Sequence, residues 1–341
     1  MLNTVYQLKS PRQFEVMFKE LELDSGKLLV RPTHLSICQA DQRYYQGTRP
    51  EEIMKEKLPM ALIHEAVGKV IYDPTGSFCV GDMVALIPNQ PVEQDAVIAE
   101  NYLRSSKFCA SSVDGFLQEY VQMEPERVLR VPDGINPAAA AFSELASVSC
   151  HALNRLFSLC HERMEEVAVW GDGSLSYLTA LFLRYIKPET RLYVIGKHEE
   201  KLSYFTFADG TALTTQLTED FAFDHALECV GGAGASAAIN QIIRHIRPEG
   251  TIALMGVSEE LVPLDTRMIL EKGLRVIGSS RSGRADFERV FALYRQHKEL
   301  TAYLEHMIGA EYKVRDIKDI RNAFEADIHK LIGKTVMIWE E

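Results

Sequence analysis

The chain has 341 residues, 46% hydrophobic and 25% charged, which is enough for two domains with full cores. Its formal charge, 37 − 48 = −11, excludes non-specific attraction to nucleic acid or an anionic membrane, so an anionic ligand needs a local cluster of Arg or Lys. No apolar run reaches the ~18 residues of a membrane span, and the start MLNTVYQLKSPRQFEV has no signal-type apolar core, which reads as a cytoplasmic protein.

In chain order, the first 135 residues carry short β-type runs: KLLVRPTHLSI, AVGKVIYDPTG, DMVALIPN, FLQEYVQM and RVLRVP. Turn residues separate them, which predicts an irregular, barrel-like β domain over 1–145. From about residue 137 the rhythm changes to a helix, PAAAAFSELASVSCHALNRLF. There follow strand 166–171, helix 174–186, strand 191–196, helix EEKLSYF and an ambiguous segment, 222–231. Helix ASAAINQIIRHI and strands 250–256 and 274–280 complete a βαβ alternation, predicting a doubly wound parallel sheet over 146–299. Helices near 285–298 and 317–327 precede a last strand, 333–339, so residues 300–341 are expected to return to the first domain.

Six cysteines (38, 79, 109, 150, 160 and 229) occur without a C-x-x-C pair, so they do not form a disulfide framework. WGDGSLSY (170–177) follows a strand and opens a helix, as a dinucleotide-binding turn requires. Gly171 makes the tight turn and Gly173 permits close backbone approach to a pyrophosphate. Ser174 and Leu175 start the helix, and Ser176 replaces the usual third glycine. The next strand ends at Gly196 and Lys197, where an NAD site carries an acid. Lys197, with Lys201 one turn later, favours the 2′-phosphate of NADPH; the opposing reading leaves Lys197 solvated and gives the ribose to Glu199. Cys229, Val230 and Gly231, then Met255, Gly256 and Val257, then Ser279 follow parallel strands, where such a sheet opens its nicotinamide crevice.

LPMALIHEAVG (58–68) places His64 and Glu65 in an otherwise apolar stretch, costly unless both are paired. Taken singly, His64 reads as a hydrogen-bonded core histidine, Cys38 as a core thiol and Glu144 as a helix-surface acid. Together one thiolate, one imidazole and two carboxylates make a zinc donor set. These segments, SICQADQRYY, IHEAVG, the Glu144 stretch and WGDGSLSY, occur in the order and approximate spacing of the zinc-dependent medium-chain dehydrogenase/reductase family. Across the whole chain the sequence resembles that family.

The resemblance implies a GroES-like catalytic domain and a Rossmann cofactor domain. It implies Cys38, His64, Glu65 and Glu144 as zinc positions, with the glutamates alternating with a water or substrate oxygen, and Asp41 orienting the histidine. It also implies one catalytic zinc and no structural zinc, since only Cys109 falls within residues 88–113. Ile63 replaces the usual glycine before His-Glu. Ala40 removes the alcohol-dehydrogenase proton relay, which leaves Tyr44 as proton donor or as an aromatic lid. DQRYYQGTRP, KLPMALIHE, VIAENYLRSS and EKGLRVIGSSRSG resemble more closely the ribulose-5-phosphate reductase branch. That branch makes ribitol 5-phosphate for CDP-ribitol and teichoic acids with NADPH. Arg43, Lys57 and Arg281 are then the candidate cations for the substrate phosphate. A homodimer, and association with a ribitol-5-phosphate cytidylyltransferase, are further implications. Two other readings remain open: an NAD-linked zinc dehydrogenase of another sugar alcohol, and a non-catalytic nucleotide-binding scaffold on the same fold.

Overall fold

The computed structural model describes residues 1–340 and divides into two compact units. One is Met1–Ser147 together with the chain from Ser282 onward; the other is Val148–Arg281. The expected division differs at one point, since the helix Arg284–Gln296 groups with the first unit. Glu100 is the physical reason: its carboxylate accepts the Arg284 amide at 3.0 Å, while the Arg284 guanidinium reaches the Glu126 carbonyl at 2.7 Å.

The main sheet of the first unit runs Val128–Arg130, Met83–Leu86, Glu65–Tyr72, Leu28–Ser36, Lys334–Trp339 and Ile308–Val314. Only the last pair is parallel. Val336 lies opposite Ser36, and Ser36 lies opposite Glu65. Because strand side chains alternate faces, this register puts Glu65, Ser36 and Lys334 on one buried face of three adjacent strands. The N-terminal hairpin, Leu2–Ser10 with Gln13–Glu20, pairs with Met60–Ala61. Beyond it, Ile63 takes a left-handed φ of 71° that β-branched residues avoid. Its amide donates to Asp41 Oδ1 at 2.9 Å and its carbonyl accepts from Phe116 at 2.7 Å, which holds the strained backbone immediately before His64.

The second unit is a six-stranded parallel sheet in the order Gly210–Leu213, Arg191–Gly196, Glu166–Trp170, Phe223–Glu228, Ile246–Leu254, Arg275–Gly278. Numbered along the unit this is 3-2-1-4-5-6, the doubly wound Rossmann order, with its binding crevice at the carboxyl ends of the strands. Glu166–Trp170 and Phe223–Glu228 are buried at every position, as strands covered on both faces must be. The segment 222–231 is therefore a strand. Its buried Asp224 blurs the apolar pattern, but the carboxylate is paired with Arg163 at 2.7 Å and Arg247 at 3.0 Å.

Candidate active site

Cys38 leaves the strand Leu28–Ser36 and caps the helix Gln39–Tyr45, while His64 opens onto the strand Glu65–Tyr72. The loops meet through Asp41, which is 1% exposed. Its carboxylate accepts the Cys38 amide at 3.0 Å and the Ile63 amide at 2.9 Å, and stands 3.7 Å from His64 Nδ1. Burial opposes charge on both partners, but the pairing outweighs it. The Asp41 carboxyl is held below its usual range by His64 and the two amides, and His64 is raised well above its usual value by Asp41 and Cys38. Asp41 thus fixes two segments and one imidazole at once.

Ligand atoms of Cys38, His64 and Glu65 all lie within 4.8 Å of one another. One sulfur, one nitrogen and one carboxylate oxygen at that spacing fit a zinc ion. Glu144, in the first turn of the helix Ser143–Leu159, does not join the trio at this distance. It is buried beside it all the same. Burial first, then repulsion from Glu65, push its carboxyl up to about 7 against the pull of His64 and Lys334. Glu65 is held elsewhere as well: its carboxylate accepts from Ser36 Oγ at 2.9 Å and from Lys334 Nζ at 2.9 Å. This buried ion pair answers the cost of an acid in an apolar segment. Lys334 carried no signal in the sequence, because its partner is 269 residues away.

Tyr44 is 2% exposed, and the Arg49 guanidinium lies 4.2 Å from its ring centroid. Arg43 is half-buried on the same helix; Lys57 is paired with Glu56 at 2.8 Å. Arg281 lies in the second unit at a left-handed φ of 58°. Cys109 is buried near His64, and burial pushes its thiol up to about 12.

The second unit holds a cavity of about 590 Å³ lined by Gly171, Gly173, Gly196, Lys197, Cys229 and Val230. Gly173 caps the 13-residue helix Ser174–Ile186, and a Cβ there would meet nothing within 4 Å. Open space before a helix N-terminus is where a pyrophosphate sits. Gly171, at φ 126°, is excluded to other residues, since a Cβ would come within 2.4 Å of Ser176 Oγ. Ser174, Leu175, Lys201, Gly231, Met255, Gly256, Val257 and Ser279 do not line this cavity. The sequence reading missed Asp172, His198 and Arg244, which do. The Asp172 carboxylate accepts the amides of Lys197 at 2.8 Å and His198 at 2.9 Å, tying the first two strand ends together. Lys197 Nζ reaches across to the opposite wall, 3.7 Å from where a Gly234 Cβ would stand. Arg244 faces the cavity from the helix Ala235–His245. Glu228, fully buried, accepts the amides of Val230 at 2.8 Å, Gly231 at 2.9 Å and Gly256 at 3.1 Å, joining two loops at the crevice. The cations, the cavity and the helix terminus fit a phosphorylated dinucleotide.

The model of an alcohol dehydrogenase GroES-like domain matches residues 24–133, and that of a zinc-binding dehydrogenase matches residues 183–296. The chain belongs to the zinc-dependent medium-chain dehydrogenase/reductase family, in its ribulose-5-phosphate reductase branch. It is 51% identical over 340 residues to a ribulose-5-phosphate reductase of Bacillus spizizenii, covering 100% of both chains. It is 48% identical to ribulose-5-phosphate reductase 1 of Staphylococcus aureus, covering 99% of each. The crystal structure of S. aureus TarJ in complex with NADPH matches with a TM-score of 0.89 at 43% identity over 100% of both chains. An Escherichia coli L-idonate 5-dehydrogenase, 20% identical with a TM-score of 0.86, covering 99% of this chain and 98% of that one, shares the fold.

Proposed function

We propose that this chain reduces D-ribulose 5-phosphate to D-ribitol 5-phosphate with NADPH and one zinc ion. The observation that carries the reading is the gathering of Cys38, His64 and Glu65 in a chain half identical, end to end, to ribulose-5-phosphate reductases. When bound, the metal polarises the C2 carbonyl and the cofactor supplies hydride to that carbon. Cys38 and His64 hold the metal, and Asp41 keeps the imidazole ring turned toward it. Glu65, which already accepts from Lys334, would offer the third donor. Glu144, whose carboxyl burial and the neighbouring Glu65 raise to about 7, is the candidate, with Tyr44, for delivering a proton to the C2 oxygen. Arg43, Lys57 and Arg281 stay the candidate partners of the substrate phosphate.

The product feeds CDP-ribitol synthesis for teichoic acid or capsule, and the reaction runs in the cytoplasm. A homodimer formed through the second unit, and transient association with a cytidylyltransferase that consumes ribitol 5-phosphate, belong to the same reading. The test is loss of nicotinamide absorbance when ribulose 5-phosphate is added to zinc-replete protein with NADPH. Ribulose at equal concentration serves as the comparison. Equal kcat/KM for the two sugars would make this an enzyme of unphosphorylated polyols, and no turnover of either would reject the reading.

Lys197 and Arg244, which line the cavity, are assigned to the 2′-phosphate side of the cofactor; Lys201, which does not, is the weaker candidate. Lys197→Ala is expected to weaken NADPH binding about tenfold, the loss of one partly exposed charge-assisted hydrogen bond, and to leave NADH within about twofold. Titration of the quenched protein fluorescence with each cofactor measures both. Parallel weakening would show that Lys197 only shapes the loop.

A further inference from the structure

The first unit holds a second cavity, of about 320 Å³, lined by Tyr6, Arg31, Glu119, Arg315, Trp339 and Glu340. That volume is at the low end of the ~300–1,000 Å³ range of small-molecule sites. Two of these residues are cations and two are acids, and their partners decide what the cavity lacks. Arg315 and Glu340 are paired with each other, and Lys313 reaches Glu340 at 3.0 Å. Arg31 and Glu119 are different. Among the described residues neither has an ion-pair partner, and the Glu119 carboxylate accepts only the Thr4 hydroxyl, at 2.9 Å. The cavity thus holds one unmatched charge of each sign.

Its neighbours sharpen this polarity. Lys69 stands directly opposite Arg31 on the adjacent strand, so the position from which an acid would neutralise Arg31 carries a second cation. At the other charge, burial, then Glu119 and then Asp316 raise the Tyr6 hydroxyl above its usual value, which places the Glu119 charge close to that ring. The Tyr6 and Trp339 rings meet with centroids 5.0 Å apart and give the cavity an aromatic wall.

We infer that this cavity binds a small zwitterion of the α-amino-acid class, with its carboxylate on the Arg31 guanidinium and its ammonium at Glu119. A guanidinium presents a planar fork that a carboxylate matches with two hydrogen bonds. An ammonium donates to the acceptor-only carboxylate of Glu119, and the faces of Tyr6 and Trp339 attract a cation as well. A simple anion leaves Glu119 unmatched and is repelled by it; a simple amine meets the same difficulty at Arg31. The sugar phosphate of the reaction carries no ammonium, and none of Cys38, His64 and Glu65 lines this cavity, so its ligand is not the substrate.

The chain has two tryptophans: Trp339 lines this cavity and Trp170 the dinucleotide cavity. Zinc-replete protein carrying isotope-labelled tryptophan, with NADPH added to fill the other cavity, is titrated with L-leucine and followed by NMR of the indole N–H groups. The resonance missing from Trp339→Phe, or retained in Trp170→Phe, belongs to Trp339. The expected result is a saturable shift of that resonance, with Trp170 unmoved. 4-Methylpentanoate and 3-methylbutylamine are the same skeleton without the ammonium and without the carboxylate. Each is expected to bind at least about tenfold more weakly, the loss of one charge-assisted pair. Arg31→Gln removes the advantage of leucine over the amine, and Glu119→Gln its advantage over the carboxylate. No saturable shift, or equal affinity for all three probes, overturns the inference. So does 4-methylpentanoate binding as tightly as leucine, which leaves a site for anions alone. The probe comparison is made on wild type and decides the matter whether or not either variant folds.

Discussion

Cys38→Ser is expected to lose its zinc and, with it, at least about a thousandfold in kcat, while binding NADPH within a few-fold of wild type. A serine hydroxyl is a far weaker zinc donor than a thiolate, and the trio then keeps only the His64 nitrogen and an oxygen already shared with Ser36 and Lys334. Losing Lewis-acid stabilisation of a developing alkoxide removes several kcal/mol from the transition state, at about 1.4 kcal/mol per factor of ten. Cofactor affinity is spared because the residues that line the dinucleotide cavity all lie in Val148–Arg281, whereas Cys38 lies in the other unit. His64→Ala follows the same pattern and leaves the Asp41 carboxylate without its imidazole. Metal analysis by mass spectrometry and fluorescence titration with NADPH measure the two halves. Normal turnover in either variant would remove these residues from the reaction; loss of zinc together with loss of cofactor binding would mean that the whole chain had unfolded.

The fold could be read from the sequence wherever one period governs a segment. The helix Ser174–Ile186 and the strand Arg191–Gly196 occupy the expected limits, because each is a compact run of one rhythm closed by turn residues. The N-terminal hairpin went unread, since its outer strand Gln13–Glu20 is exposed at almost every position and has no buried face to impose alternation. Thr266–Lys272 and Leu300–Glu305 are too short to show a helical period. Long-range partners hide the remainder. Asp224 and Glu228 look wrong for a buried strand until Arg163, Arg247 and the amides of Val230, Gly231 and Gly256 are in place. The same limit applies to the sites. Short-range devices such as Gly171-x-Gly173 and Cys38-x-x-Asp41 announce themselves by spacing. Lys334 and Glu228 act through contacts that only the folded chain creates, and Arg244 reaches the cavity only through the packing of its helix.

Lys334→Met is expected to cost about 3–5 kcal/mol of stability while keeping zinc near one ion per chain, the reverse of the Cys38 result. The Lys334 and Glu65 side chains are 3% and 0% exposed and meet at 2.9 Å. The pair itself contributes little net free energy, because burying both charges offsets most of their attraction. Breaking it is different: among the protein's own groups, only the Ser36 hydroxyl then answers the Glu65 carboxylate in the interior. In the native protein the partnership also holds the ammonium charged, with Glu65 and Cys38 outweighing burial and raising Lys334 above its usual value. Without that cation, a bound metal would be the remaining charged partner of Glu65, and turnover is expected to fall although zinc is retained. Adding Glu65→Gln to Lys334→Met removes the orphaned charge and keeps the Ser36 contact. The double variant is therefore expected to recover about 2 kcal/mol or more relative to Lys334→Met, a coupling that urea unfolding of the four proteins in the cycle measures directly. Strict additivity of the two single changes would mean that the two side chains are uncoupled in the folded protein and that Lys334 holds nothing in place.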